Sequence, residues 1–348
     1  QTHHSRYHRY NQPMRGFLIC ALVLLLAACA PAGLAPQPSS PVPSAAPALP
    51  SDTAAPAASP TLTHTPTSTL APTETPPPTP TLTATRVPPV RFAVIGDYGL
   101  AGTPEAEVAA LVLGWQPDFI VTVGDNNYPS GEAETIDLNI GQYYHSYIAP
   151  YSGAYGAGAE SSRFFPTLGN HDYYSDLAQP YFDYFSLPGN ERYYDFTWGA
   201  LHFFLLNSNE YEPDGVGRSS AQAAWLKTQL AASTSPWQIV VFHHAPYASG
   251  YYGGTDWMRW PFGEWGADAV LAGHDHVYER LLVDGIPYFV NGLGGGGGDN
   301  FGEVDPHSSV RYNANHGAML VTASETEMLC EFYNRAGELI DSYRVSNP

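Results

Sequence analysis

The chain is 348 residues long, with 14 Lys and Arg against 33 Asp and Glu, a net charge of −19 and three cysteines. Nucleic-acid and anionic-surface binders carry the opposite sign, so both partner classes are excluded, and three cysteines are too few for a disulfide framework. More than half of the 32 prolines fall between Pro31 and Pro89, in Ala, Ser and Thr with almost no aromatic residue, which reads as an extended tether.

In chain order, Met14 and Arg15 precede the apolar run Gly16 to Ala28, which ends in Cys29. The run is short for a membrane span and suits the apolar core of a signal peptide. Leu26, Ala27, Ala28 and Cys29 resemble the bacterial lipobox, which implies cleavage before Cys29 and lipidation of that cysteine. The expectation is an exported lipoprotein, at the cell surface or in the periplasm, that touches the membrane through its lipid anchor only. An ordinary secretory signal or a short anchor helix is the alternative. Residues 1–13 precede the plausible start Met14 and are set aside. The chain divides into residues 1–28 (upstream residues and signal), 29–89 (lipidated cysteine and tether) and 90–348 (one folded domain).

Within that domain the patterns predict a strand at VRFAVIGD, then a helix opened by Thr103, Pro104 and Glu105 with Val108, Leu111 and Val112 on one face. The strand PDFIVTVGD follows, then a helix over 135–149, the strand RFFPTLGN, and the strands YYDFTWG and LHFFLLNS. A helix from Ser220 to Leu230 precedes the strands WQIVVFHH and ADAVLAGH. The remainder reads as strands only, at IPYFVNG, HGAMLVTAS, TEMLCEFYN and ELIDSYRV. Alternation of strands and helices, followed by strands, predicts an α/β protein with mixed sheets.

Five apolar runs stop at Gly96–Asp97, Gly124–Asp125, Gly169–Asn170, Phe242–His243 and Gly273–His274. Each alone is an ordinary turn signal. In open α/β sheets, however, ligands bind outside the carboxyl ends of strands, so the five ends can converge on one site. Carboxylate and amide oxygens with imidazoles form the donor set of a mixed site for Zn, Mn or Fe, and one carboxylate can bridge two ions ~3.5 to 4 Å apart. The candidate ligands are Asp97, Asp125, Tyr128, Asn170, His243, His274 and His276. His244 stands beside His243 as a competing ligand, and Tyr128 has an alternative reading as an aromatic turn residue.

GDYG, GDNNY, GNHD, a histidine after IVVF, and GHDH occur in the order and approximate spacing of the calcineurin-like metallophosphoesterases. Tyr128, three residues after the second aspartate, makes the chain resemble the purple acid phosphatases among them. The resemblance covers nearly all of 90–345. It implies a four-layer sandwich of two mixed β-sheets flanked by helices, and a phosphomonoester hydrolase. It further implies a ferric ion on Asp97, Tyr128 and His276, a second ion (ferrous iron, zinc or manganese) on Asn170, His243 and His274, and Asp125 between them. Two such cations neutralise phosphate oxygens and acidify water, making hydroxide available for in-line attack on phosphorus.

His171, next to Asn170, is the candidate acid for the leaving alkoxide, with Asp172 orienting its ring or serving only as a turn carboxylate. Many purple phosphatases carry a second substrate-side histidine beyond the metal histidine, and APYASGYYGGTD contains none; His244 can replace it or simply pack beside the strand. GLGGGGGD (292–299) lacks the ending of a P-loop and reads as a flexible loop at the cleft. Tyr247, Tyr251, Tyr252, Trp257 and Trp260 either shape a substrate mouth or pack a long loop. The expected partner is a phosphorylated small molecule. A phosphodiester or nucleotide substrate, and a non-catalytic surface binding protein, are the alternative functions.

Overall fold

The computed structural model describes residues 88–347. The signal segment, Cys29 and nearly all of the tether lie outside the described residues. Thirteen strands run in chain order: β1 (Val90–Ile95), β2 (Phe119–Thr122), β3 (Phe164–Phe165), β4 (Tyr194–Trp198), β5 (Leu201–Leu205), β6 (Trp237–His244), β7 (Ala269–Gly273), β8 (Tyr278–Val283), β9 (Ile286–Asn291), β10 (Ser308–Tyr312), β11 (Gly317–Ala323), β12 (Glu327–Asn334) and β13 (Leu339–Ser346). One six-stranded sheet has the order β13-β12-β11-β1-β2-β3, and a seven-stranded sheet the order β10-β8-β9-β7-β6-β5-β4. Both are mixed: β1, β2 and β3 run parallel, as do β5, β6, β7 and β9, with antiparallel strands at the flanks.

Alternation along each strand divides the core into layers. In β1, Phe92 and Val94 join Phe119, Val121, Phe203, Ile239 and Leu271 in the core between the sheets. Ala93 and Ile95 face the other way, against Val108, Ala109 and Val112 of the helix Thr103–Gly114. On the second sheet, Phe204, Val240 and Phe242 pack on Ala223, Leu226 and Leu230 of the helix Ala221–Ala232. Ser220 caps that helix, its Oγ accepting from Ala223 N–H at 3.1 Å. The outcome is the four-layer α/β sandwich expected from the resemblance.

The strand β10 and a short helix at Gln179–Tyr184 were not expected, and three further elements differ from expectation. The helix expected over 135–149 begins at Ala133, widens into a π turn at Asp137–Gly141 and tightens to a 3₁₀ turn at His145–Tyr147. The π turn buries Asn139, whose Nδ2 donates to Asn127 Oδ1 (2.7 Å) and the Tyr128 carbonyl (2.9 Å), while its Oδ1 accepts from Ala101 N–H (3.0 Å). The strand at RFFPTLGN is cut to two residues because Pro166 has no N–H for the ladder. A hairpin that the patterns did not predict, β8 to β9, turns at Asp284 and Gly285, both with positive φ (50° and 88°), as a two-residue hairpin turn requires.

Candidate metal centre

All seven candidate ligands lie at the carboxyl end of the parallel strands. Asp97 follows β1, Asp125 and Tyr128 follow β2, Asn170 follows β3, His243 lies in the last turn of β6, and His274 and His276 follow β7. Asp97, Asp125 and His274 adopt positive φ (54°, 51° and 74°), a conformation disfavoured for side chains with a Cβ, which folds the chain back as each strand ends. Gly124 (φ 94°) is required by close approach, since a Cβ there would lie 2.6 Å from His243 Nδ1.

The donors form two groups around Asp125. Tyr128 Oη lies 3.0 Å from His276 Nε2 and 3.4 Å from Asp97 Oδ1. His243 Nε2 lies 3.0 Å from Asn170 Oδ1 and 3.3 Å from His274 Nδ1. Asp125 Oδ2 is 3.0 Å from Tyr128 Oη, and its Oδ1 is 3.4 Å from His243 Nε2. Each oxygen of one carboxylate therefore faces a different group, the disposition needed of a bridging ligand.

The chemistry of these contacts fits cations. His243 Nδ1–H donates to the Val123 carbonyl at 2.8 Å, so in the neutral ring Nε2 carries a lone pair aimed at the oxygens of Asn170 and Asp125. Burial pushes the Asp125 carboxyl up, but His243 and His171 outweigh it and hold the group far below the usual carboxylate range. Burial lowers the His243 pKa, yet Asp125 reverses this and raises it to about 9. Burial and then His243 bring His274 down to about 3. The buried cluster thus holds a carboxylate anionic and an imidazole neutral, and it draws positive charge to the point where the lone pairs meet. Among the described residues, Asp97, Asp125 and His243, and likewise His243, His244 and His274, bring potential ligand atoms within 4.8 Å of one another.

His243 and His244 differ in their partners. His244 Nδ1 meets Ser208 Oγ at 2.8 Å, and that hydroxyl also accepts from His244 N–H at 2.9 Å. Where the hydroxyl gives its proton to Nδ1, the ring proton sits on Nε2. Burial, followed by His243 and His274, depresses the His244 pKa well below its ordinary value, so the ring is neutral. His244 lines a cavity of about 290 Å³ that adjoins Asn170 and His274.

His171 stands at the edge of the site, with Nε2 3.9 Å from Asp125 Oδ2. The expectation that Asp172 orients it is not met: His171 Nδ1–H donates instead to the Pro129 carbonyl at 2.6 Å. Nor is Asp172 a surface turn carboxylate. It is 2% exposed and accepts from Asn126 N–H (3.1 Å), Asn126 Nδ2 (2.8 Å) and Gly169 N–H (2.8 Å), tying the loop after β2 to the loop after β3. Burial and then Asp125 push its pKa up to about 7.

The glycine loop at 292–299 is fixed rather than free. Gly294 and Gly296 donate to the Gly96 and Asp97 carbonyls (2.9 and 2.7 Å), and Asp299 Oδ2 accepts from His276 N–H (3.0 Å). A Cβ on Gly296 would lie 2.5 Å from Tyr128 Cε2, so the backbone packs directly on the ligand ring. The aromatic cluster divides. Trp260 is buried, with its indole N–H on the Val216 and Trp257 carbonyls, and Tyr247 packs on Tyr288; Trp257, Tyr251 and Tyr252 are exposed. Tyr252 stacks on His274 with centroids 4.5 Å apart.

The patterns missed Ser208, Asn209, Glu210 and Tyr211. They follow β5, a further parallel strand ending on the same side of the sheet, and its polar run NSNE was the available signal.

The calcineurin-like phosphoesterase profile matches residues 90–278. Purple acid phosphatase 17 of Arabidopsis thaliana is 26% identical over 298 residues, covering 74% of this chain and 84% of that protein. Tartrate-resistant acid phosphatase type 5 of Mus musculus is 26% identical over 262 residues, covering 64% and 75%. Among solved structures, a purple acid phosphatase from yellow lupin seeds, PPD1, superposes with a TM-score of 0.62 at 17% identity, covering 74% of this chain and 54% of that chain. GAP50, the anchor in the inner membrane complex of Plasmodium, superposes with a TM-score of 0.60 at 18% identity, covering 75% and 90%. The fold, the converging strand ends and the profile match together establish that this chain belongs to the calcineurin-like phosphoesterase family.

Proposed function

We propose that the chain hydrolyses phosphomonoesters at a dinuclear centre, in the manner of the purple acid phosphatases it is similar to. Asp97, Tyr128 and His276 would hold a ferric ion, Asn170, His243 and His274 would hold ferrous iron, zinc or manganese, and Asp125 would serve both. The observation that carries this reading is Asp125, whose two oxygens face the two donor groups separately. When bound, the ions supply neutralising charge for the phosphoryl oxygens and acidify water.

The remaining steps belong to the side chains. Val123 and Asp97 fix the donors, through the His243 Nδ1–H and the His274 N–H, so little rearrangement accompanies binding. His171, its Nδ1 proton held by Pro129, presents Nε2 and in its protonated form gives the leaving alkoxide its proton. His244, held neutral, is a hydrogen-bond donor through Nε2–H toward the adjoining cavity rather than an acid.

The fold alone does not decide between catalysis and binding, as the likeness to an anchor protein illustrates. The full set of seven donors favours catalysis. The activity is placed outside the cell, on a lipid-anchored tether at Cys29; the apolar run before Cys29 supports that placement. Asp125→Asn tests the centre. Elemental analysis should find two metal ions per wild-type chain and fewer in the variant, with turnover reduced by more than the ~100-fold typical of an outer-shell partner. Unchanged metal content and rate in the variant would remove the assignment.

A further inference from the structure

The cavity beside the metal centre has walls that the phosphoryl chemistry does not use. Tyr174, Tyr211 and Trp257 line it, and each large ring is well exposed, at 60%, 57% and 46%. Exposed rings of this size are costly in water unless they meet a partner, and several lining one cavity beside a candidate reactive centre mark a binding surface. All three rings are also held in place. Tyr174 Oη accepts from Asn170 Nδ2 at 3.0 Å, the Trp257 indole N–H donates to the Ser208 carbonyl at 3.1 Å, and Tyr211 lies over Tyr173 with centroids 5.8 Å apart at 29°. Tyr173 is fixed in turn by Asn207 Nδ2, which donates to its hydroxyl at 2.6 Å. Rings fixed at one edge and open on the other lose little entropy when a planar group enters.

Charge narrows the occupant further. No lysine or arginine lines the cavity among the described residues, and Glu210, exposed at the lining, places a carboxylate there. Nearby Arg192 is not available, since its guanidinium is bound to Glu212 and Asp214. A chain with a net charge of −19 adds a field of the same sign. A leaving group bearing further phosphates or carboxylates would meet Glu210 there and no cationic side chain among the described residues.

We propose that this cavity selects monophosphate esters whose leaving group carries a flat aromatic ring without negative charge, clamped by Tyr211 and Trp257 and screened by Glu210. The inference rests on the phosphatase reading for where the phosphate sits, and its test measures binding so that the two can fail separately. Titration calorimetry on the metal-loaded full chain would compare 2-phenylethylphosphonate with butylphosphonate, which share a non-hydrolysable phosphonate head. The aromatic compound should bind about tenfold more tightly, and Tyr211→Ala or Trp257→Ala should each reduce that ratio roughly three- to tenfold. A carboxylate at the para position of the ring should weaken binding, and Glu210→Gln should recover most of the loss. Equal affinity of the two phosphonates would overturn the inference, whatever the enzyme hydrolyses. A clear aromatic preference in a protein that turns over no phosphate ester would uphold the cavity's role and overturn the phosphatase reading instead.

Discussion

At the scale of single residues, the two histidines outside the candidate ligand set differ in burial and reach. His244 is buried beside His243 and His274, which keep it uncharged, whereas the His171 side chain is 29% exposed and stands 3.9 Å from the Asp125 carboxylate. Only the second presents a ring nitrogen at the open edge of the centre, where a leaving group can reach it. His171→Gln should therefore slow an alkyl phosphate by about 10²-fold or more, and p-nitrophenyl phosphate much less, because nitrophenolate leaves without help. Comparison of kcat for both substrates checks this; an equal loss would assign His171 to binding alone. Five of the candidate ligands, Asp97, Asp125, Asn170, His243 and His274, were legible in the sequence because each stands where an apolar run stops, whereas Tyr128 and His276 lie in the loops beyond and were found by their spacing. The role of Asp172 was not legible, because its partners Asn126 and Gly169 are brought to it by the pairing of β2 with β3, which no local pattern contains.

At the scale of elements, the parallel strands and the two long helices could be read from their periodicity, and the exceptions have physical causes. β8 escaped notice because Glu279 and Arg280 interrupt its apolar pattern, yet both are satisfied. Glu279 accepts from Ser249 N–H and Oγ at 2.6 Å each, and Arg280 pairs with Asp341 at 2.7 Å. The first turn of the helix Thr103–Gly114 holds a less comfortable group. Glu105 is fully buried, and its carboxylate lacks a well-formed hydrogen bond, the Leu100 backbone being its one polar neighbour of note. Burial raises its pKa well above the usual carboxylate value, and the Leu100 backbone offsets this only in part. An acid whose folded pKa is raised binds more protons folded than unfolded, so its contribution to stability is complete below the unfolded pKa of about 4.3 and is lost as pH rises through the folded value. Glu105→Gln should therefore flatten the pH dependence of unfolding, gaining on wild type at about pH 8 relative to about pH 5. Urea midpoints at the two pH values measure it, and parallel wild-type and variant curves would contradict the account of Glu105.

At the scale of the whole molecule, the sandwich brings strand ends from both sheets to one place. Phe119 lies at the contact, stacked on Phe92 with centroids 5.2 Å apart and edge-on to Phe203 at 5.5 Å. That packing brings the loops after β1 and β2 against those after β6 and β7, so the centre exists only when the sheets are assembled. The four layers followed from motif order more than from periodicity, since apolar alternation does not say which strands share a sheet. The proposed tether and lipid anchor rest on the sequence alone. Cys29→Ser should move the protein from the membrane pellet to the soluble fraction of cells that export it, and retention in the pellet would contradict lipid anchoring. The central claim is phosphomonoester hydrolysis at the two-metal site. It is tested most directly by comparing p-nitrophenyl phosphate with bis(p-nitrophenyl) phosphate on the full chain loaded with iron and zinc. The account predicts preferential turnover of the monoester, lost on chelation and restored by the metals; preference for the diester, or turnover indifferent to metal, would contradict it.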